Sequence, residues 1–224
     1  MKLRLLSLIV ALWSVAHVYG AQVPKYIFYF IGDGMGMAQV LSAQVYNRTV
    51  LGNTDPILMM QFPVASQVTT HSASSPVTDS AAAGTALATG HKTNNGMLGV
   101  TPDTVAVTSI AKELFDRGYG VALVTSVPPD DATPGAFYAH VPDRGMYYEV
   151  GKQAAESGYD FIAGSNLRGT KDKDGNPNDL IDSFRDNGVD IAYGIEGLDG
   201  IRSRRVLLLN PEEITLGQIN FTID

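Results

Sequence analysis

The sequence predicts an α/β fold built around a mostly parallel sheet. Apolar runs of strand length alternate with helical segments along the chain, and this alternation is typical of βαβ units. The first run, 26–31, is apolar or aromatic at every position and ends in a glycine-rich turn. A strand without polar alternation is expected to be buried on both faces, so we expect 26–31 to be a central strand.

The other elements follow from local signals along the chain. The further predicted strands are 121–126, 159–163 and 206–209, and the predicted helices are 37–46, 80–89, 107–116, 135–141 and 149–157. Gly90 and Gly118 follow the second and third helices, and glycine commonly ends a helix. The loop 169–178 is polar and follows the predicted strand 159–163.

In that loop Asp172, Asp174 and Asn176 have the odd-position spacing of the oxygen ligands in a calcium loop. However, Pro177 stands where a calcium loop has Gly, and Ser183 stands where it has a bidentate Glu. The pattern therefore favours a solvated turn over a calcium site.

The first residues of the chain have the pattern of a secretory signal peptide. Lys2 and Arg4 precede an apolar run at 5–15, which is too short to span a bilayer. Val18 and Gly20 then occupy the two positions that a signal peptidase reads. The alternative is a buried first helix. We predict a signal peptide at 1–20, a mature part at 21–224, and an exported protein that is periplasmic or secreted.

Composition excludes several classes of function. The 224 residues include no Cys, so disulfides and cysteine zinc sites are excluded. The net charge of −7 does not suit a nucleic-acid partner, whose phosphate backbone needs a basic surface. No segment after the signal peptide is long and apolar enough to span a membrane.

Two acidic or hydroxyl residues stand at positions where α/β folds bind ligands. Asp33 follows the predicted strand 26–31, and ligands gather at the carboxyl ends of parallel strands. Alternatively, Asp33 is only a turn former. Ser80 opens the helix 80–89, where backbone N–H groups and the helix dipole would stabilise a phosphate on its hydroxyl. The alternative is an ordinary first-turn residue capped by Thr78 or Asp79.

A second group of candidates follows the strand 121–126. Asp131 and Thr133 lie two apart in a loop that we expect to be extended, so both would face one hard cation such as Mg²⁺. The alternative is a Pro/Asp turn. Arg144 carries a fork that fits a phosphate, although a single Arg is commonly a surface residue. The histidines His71, His91 and His140 lack a second ligand at metal-binding spacing, which favours structural or surface roles.

The order of these motifs resembles the alkaline phosphatase family. The matching segments are 30–36 (FIGDGMG), 77–82 (VTDSAA), 89–96 (TGHKTNNG) and 131–141 (DATPGAFYAHV), with Arg144 behind them. The resemblance is close over about residues 25 to 165 and looser over the rest. It implies a three-layer sandwich with a mostly parallel central sheet, incomplete in this chain.

The resemblance also implies a role for each candidate. Ser80 matches the nucleophile that becomes phosphorylated, Arg144 matches the arginine that grips the phosphate, and Asp79 matches the carboxylate that steadies this arginine. Asp33 matches the carboxylate shared between a zinc and the magnesium. Asp131 and Thr133 match positions at the magnesium site, although some relatives have His in place of Asp131.

These roles imply a cofactor set and a reaction. Two Zn²⁺ and one Mg²⁺ would serve the hydrolysis of phosphate monoesters through a phosphoserine on Ser80. One zinc would bind the Ser80 hydroxyl and ease loss of its proton, so that no adjacent base is needed. The other zinc would stabilise the leaving oxygen. Broad specificity for the alcohol is implied because the phosphate provides most of the grip, and a homodimer is implied as well.

The chain departs from the family pattern in one respect. The family uses a further Glu, an Asp-x-x-x-His, an Asp-His pair and one more His, and this chain has none of these ligands. We therefore expect 21–224 to be the N-terminal part of a catalytic domain, inactive by itself. The competing hypotheses are a related metal-dependent phosphodiesterase or sulfatase, and a non-catalytic secreted phosphate-binding remnant.

Overall fold

The computed structural model describes residues 23–211, so the predicted signal peptide at 1–20 lies outside the described residues. The chain divides into two compact units, Met1–Met35 and Gly36–Asp224. Within the described part, none of the helices has the length and apolar character needed to cross a bilayer.

The first unit lacks the strand that the sequence predicts. Residues 26–31 are assigned no strand, and the side chains of Phe28 and Phe30 are 79% and 85% exposed. The prediction of a buried central strand is therefore wrong for this structure. An apolar run expresses a preference for β structure, but only a paired neighbour makes a strand of it. The turn that follows does form, since the Met35 N–H donates to the Gly32 carbonyl at 3.1 Å and Gly34 has a φ of 67°.

The second unit contains a sheet of four parallel strands, which confirms the predicted α/β class. The strands are β1 (Ala122–Val124), β2 (Phe161–Ala163), β3 (Asp190–Tyr193) and β4 (Val206–Leu209), in the order β1-β2-β4-β3. Phe161 of β2 aligns with Ala122 of β1 on one side and with Val206 of β4 on the other. β3 was not predicted. The apolar run 121–126 would suit a buried strand, but β1 lies at the edge of this sheet and Val124 is 74% exposed.

Six α-helices accompany this sheet among the described residues. They are α1 (Met37–Thr49), α2 (Ser80–Thr89), α3 (Ile110–Asp116), α4 (Ala132–Gly135), α5 (Tyr147–Glu156) and α6 (Leu180–Asp186), with 3₁₀ turns at Leu58–Gln61 and Ile195–Leu198. α1, α2 and α5 agree closely with the predicted helices. α3 begins later than predicted because the Ser109 hydroxyl caps it, accepting from the Lys112 N–H at 3.2 Å.

The predicted helix 135–141 is wrong in its position. Asp131 caps the helix that forms here, and that helix ends at Gly135. Val141 instead exchanges both backbone hydrogen bonds with Leu98, each 3.0 Å long, in an isolated antiparallel bridge. The Asp side chain at a cap position outweighs the weaker helical tendency of the residues that follow.

Small residues let α2 lie close to α4. Ala81 and Ala82 of α2 are buried, and a Cβ added to Gly84 would lie 3.0 Å from the Cβ of Ala136. Larger side chains on this face of α2 would force the two helices apart. The alanine run after Ser80 therefore lets α2 and α4 lie in one region of the fold.

Candidate active site

Asp79 is the N-cap of α2. One carboxylate oxygen, Oδ1, accepts a hydrogen bond from the Ala82 N–H at 2.9 Å, which satisfies one of the open donors of the first turn. Ser80 is therefore the first helical residue rather than the cap, and it is half-buried. Gly90 ends the helix with a φ of 75°, as the sequence predicts.

A turn at Asn95 and Gly96 ties this helix start to Arg144. The Gly96 N–H donates to Asp79 Oδ2 at 3.0 Å, while its carbonyl accepts from the Arg144 N–H at 2.7 Å. The Asn95 side chain accepts from the Asp79 N–H at 3.2 Å and donates to the Val77 carbonyl at 3.0 Å. Gly96 has a φ of 90°, a conformation that favours glycine. The backbones of Asp79 and Arg144 are thus held at fixed positions by one turn.

The Arg144 guanidinium bridges two carboxylates. Its Nη1 lies 3.3 Å from Asp79 Oδ2, and its Nη2 lies 2.9 Å from Asp131 Oδ1. Partial burial opposes the charged form, but Asp131 and then Asp79 outweigh it and raise the pKa of Arg144. Each carboxylate uses one terminal nitrogen, so the fork is fixed in orientation without being held side-on by either acid.

Asp131 is the N-cap of α4 and is nearly buried. Its Oδ1 also accepts from the Ala132 N–H at 2.7 Å, and its Oδ2 lies 3.1 Å from Nη2 of Arg168. Only 9% of its side chain is exposed. A carboxylate with so little water requires compensation, and two guanidinium groups provide it here.

Arg168 lies in the segment after β2 and was not a sequence-based candidate. Its Nη1 donates to the Tyr147 hydroxyl at 2.7 Å, and its guanidinium carbon lies 5.0 Å from the centre of the Tyr147 ring. Its backbone N–H donates to Oδ1 of Asp130 at 3.0 Å. Sequence position after a parallel strand was the available signal, because such segments meet at the ligand-binding edge of the sheet.

Asp130 is a second residue that sequence reasoning missed. It is fully buried, and its Oδ2 accepts from the Gly169 N–H at 2.7 Å. Burial raises the pKa of Asp130 to about 6, although the hydrogen bonds from the Arg168 and Gly169 backbones act in the opposite direction. Its two acceptors fix the 168–169 backbone and thereby the start of the Arg168 side chain.

The structure brings four charged groups into one row: Asp79, Arg144, Asp131 and Arg168. Their charges alternate in sign along the row, and Ser80 is covalently next to its first member. We call these four residues the row. Arg168 is the member that the sequence did not predict.

Thr133 and Asp33 are sequence candidates that are not members of the row. Thr133 lies inside α4, so the extended loop that was predicted for Asp131 and Thr133 is a helix start instead. The side chains of Asp131 and Thr133 therefore do not share one side through the alternation of an extended backbone, as the sequence analysis expected. Asp33 belongs to the first unit, in the turn closed by Met35.

The remaining sequence candidates are the three histidines and the polar loop. His71, His91 and His140 are exposed, and Nδ1 of His140 lies 2.7 Å from the Gly99 carbonyl. In the polar loop, Asp172 Oδ1 accepts from the N–H groups of Asp174 and Asn176, both at 2.9 Å. This is the geometry of a polar turn, in agreement with the favoured interpretation of that loop.

Comparison with known proteins identifies the family. The sequence profile of the alkaline phosphatases matches residues 24–173, which is more than half of the chain. The chain belongs to the alkaline phosphatase family. This result confirms the resemblance drawn from the VTDSAA and DATP segments.

Individual relatives agree with this assignment. The tissue-nonspecific alkaline phosphatase of Rattus norvegicus is 34% identical over 167 residues, covering 68% of this chain and 32% of that protein. A streptomycin-6-phosphate phosphatase of Streptomyces griseus is 38% identical over 124 residues, covering 53% of this chain and 27% of that protein. The chain thus spans about a third of the length of the curated relatives it matches.

Solved structures of alkaline phosphatases share the fold. The Thermus thermophilus enzyme matches with a TM-score of 0.70 and 28% identity, over 81% of this chain and 39% of that chain. A mutant of the TAB5 alkaline phosphatase with magnesium bound matches with a TM-score of 0.67 and 30% identity, over 80% of this chain and 50% of that chain.

Proposed function

We propose that the protein carrying this chain hydrolyses phosphate monoesters and that Ser80 accepts the phosphoryl group. The observation that carries the proposal is the fixed fork of Arg144, held between Asp79 and Asp131 beside the helix start at Ser80. Membership of the alkaline phosphatase family supports it. We also propose that the protein is exported, which the signal-peptide pattern at 1–20 supports.

Substrate binding would rest on the phosphate group. An arginine has five N–H donors, and the two ion pairs of Arg144 use one from each of its terminal nitrogens. The remaining donors would bind a phosphate oxygen. The N-terminal end of α2 adds the positive end of a helix dipole next to Ser80. Both features favour a dianion as its charge spreads over the phosphoryl oxygens.

The reaction would take place in two displacements. In the first, the Ser80 oxygen forms a bond to phosphorus, the bond from phosphorus to the alcohol oxygen breaks, and the alcohol leaves with a proton. In the second, a water oxygen attacks phosphorus, inorganic phosphate leaves, and the Ser80 oxygen regains a proton. Arg144 holds the phosphoryl oxygens in both steps, so its role is to orient the group and stabilise its charge.

Metal dependence is a proposal for the whole protein. The family and the magnesium in the TAB5 mutant support it, with two Zn²⁺ and one Mg²⁺ as the expected set. The described residues do not by themselves fit such a site. Residues 23–211 contain no group of three or more His, Cys, Asp or Glu side chains placed to hold a metal ion. Both oxygens of Asp131 are also engaged by guanidinium groups.

The nucleophile is tested in the protein expressed from its full coding sequence. Ser80→Ala is expected to lower kcat for p-nitrophenyl phosphate by ~10³-fold or more and to abolish the acid-stable phosphoserine trapped with labelled phosphate. The matched control is Ser42→Ala, which removes a hydroxyl from α1 where it donates only to the Ala38 carbonyl. Normal turnover by Ser80→Ala would refute the proposal. Phosphate binding without trapped phosphoserine in the unmodified protein would favour a non-catalytic binding protein.

A further inference from the structure

We propose that Arg168 is a positioning residue that keeps the Arg144 fork available to phosphate by occupying the second oxygen of Asp131. The inference deepens the proposed function, since it concerns the same phosphate site. The only ion pair of Arg168 among the described residues is with Asp131, at 3.1 Å.

The two carboxylate oxygens of Asp131 have different partners. Oδ1 is shared by the Ala132 N–H at 2.7 Å and Arg144 Nη2 at 2.9 Å, while Oδ2 is paired with Arg168. Arginine and carboxylate prefer a side-on pair with two parallel hydrogen bonds. Arg168, by pairing with Oδ2, competes with Arg144 for that side-on pair.

Removal of Arg168 would change this arrangement. Oδ2 of Asp131 would lose its guanidinium partner in a place where the side chain is only 9% exposed. A buried acceptor without a partner is costly, and the Arg144 guanidinium already pairs with the other oxygen of the same carboxylate. Arg144 would turn side-on to Asp131 and spend another N–H group that the phosphate otherwise receives. The negative charge of Asp131 would also be less compensated at the site.

The surroundings of Arg168 are built to hold it in place. The Tyr147 hydroxyl accepts from its Nη1 at 2.7 Å, and its guanidinium lies over the Tyr147 ring. Buried Asp130 fixes its backbone N–H at 3.0 Å. Its Nε is buried without a hydrogen-bond partner, a cost that is tolerated for the pair with Asp131.

The test is a double-mutant cycle in the protein expressed from its full coding sequence, with calorimetric binding of inorganic phosphate as the main measurement. Arg168→Gln is expected to weaken phosphate binding by ~10- to 100-fold, the loss expected for one hydrogen bond to a charged group. KM for p-nitrophenyl phosphate is expected to rise by more than kcat falls. Arg168→Lys, which can still reach Oδ2, should retain affinity within a few-fold.

The cycle asks whether Arg168 acts through Asp131. In an Asp131→Asn background, Arg168→Gln is expected to change phosphate affinity by less than ~2-fold, because the shared carboxylate is gone. The matched control is Arg185→Gln, which breaks the exposed pair with Asp182 and should leave binding unchanged. Additive effects in the cycle, or a lower Tm with unchanged phosphate affinity, would overturn the proposal.

The positioning role can still be tested if a variant fails to fold, and its failure can be distinguished from failure of the proposed function. If Arg168→Gln does not fold, Tyr147→Phe replaces it in the cycle, since this change removes only the oxygen that holds Arg168 Nη1; unchanged phosphate affinity would then overturn the proposal. Because binding is measured without turnover, a protein that binds phosphate but tolerates Ser80→Ala would refute the proposed function alone. Absence of phosphate binding in the unmodified protein would overturn the positioning role.

Discussion

Replacement of Asp79 by Ala is expected to destabilise the protein by about 2–3 kcal/mol, because one side chain serves three partners. Its Oδ1 caps α2 through the Ala82 N–H, and loss of such a cap costs about 1 kcal/mol. Its Oδ2 satisfies the part-buried Gly96 N–H, which adds about 1 kcal/mol. The pair with Arg144 adds less than about 1 kcal/mol, since the two side chains are 27% and 31% exposed and water screens them.

Asp79→Asn separates these contributions. An Asn side chain has one acceptor, so it can satisfy either the Ala82 N–H or the pair of donors from Gly96 and Arg144, but not both. In either orientation its NH₂ group faces a donor. We therefore expect Asp79→Asn to be destabilising by roughly 1–2 kcal/mol, less than Asp79→Ala.

The measurement is urea unfolding followed by circular dichroism, on the protein expressed from its full coding sequence. Asp103→Ala is the matched control, because Asp103 is an exposed aspartate in a surface turn and its loss should stay within about 0.5 kcal/mol. If Asp79→Ala proves no less stable than Asp103→Ala, the three contacts do not carry the free energy assigned to them.

Two other predictions concern the chain and its polar loop. The 224-residue chain, purified and supplied with Zn²⁺ and Mg²⁺, is expected to hydrolyse no p-nitrophenyl phosphate above background, because its described residues hold no metal-binding cluster; enzyme-like turnover would contradict this. The Asn176 side chain and backbone lower the pKa of Asp172, so the loop gains stability above the ordinary pKa of an aspartate and loses it as the pH falls further. The Asp174 and Asn176 amides donate to Asp172, so on acidification their hydrogen exchange should become faster relative to the rate of an unstructured peptide at the same pH. Asp172→Ala should remove this change of relative exchange rate with pH.

Local signals explain what the sequence predicted well. The start of α2 follows from an Asp at the cap position and its end follows from Gly90, both of which act within one turn of the helix. β4 matches the predicted 206–209 because a short apolar run between polar residues has few alternatives. Ser80, Asp79 and Arg144 were proposed from motifs, and the structure pairs Arg144 with Asp79.

The misses depend on contacts between residues far apart in the chain. Residues 26–31 have the composition of a central strand, but composition does not provide the neighbour that a strand needs. Arg168 meets Asp131 across 37 positions only because β2 delivers the following segment to the same edge of the sheet as α4. β3 was missed because it is only four residues long and begins at the exposed, charged Asp190, which leaves a short apolar run.

The alternating charges of the row would let an acidic protein present the proposed phosphate site. The chain carries a net charge of −7, so its overall field opposes the approach of a dianion. Within the row, two carboxylates and two guanidiniums cancel, and what the phosphate meets is the local positive end formed by Arg144 and the start of α2. Without Arg168 the row would carry an excess negative charge at that point. Neutrality of the row, rather than a basic surface, is therefore the electrostatic condition that the proposed phosphate binding requires.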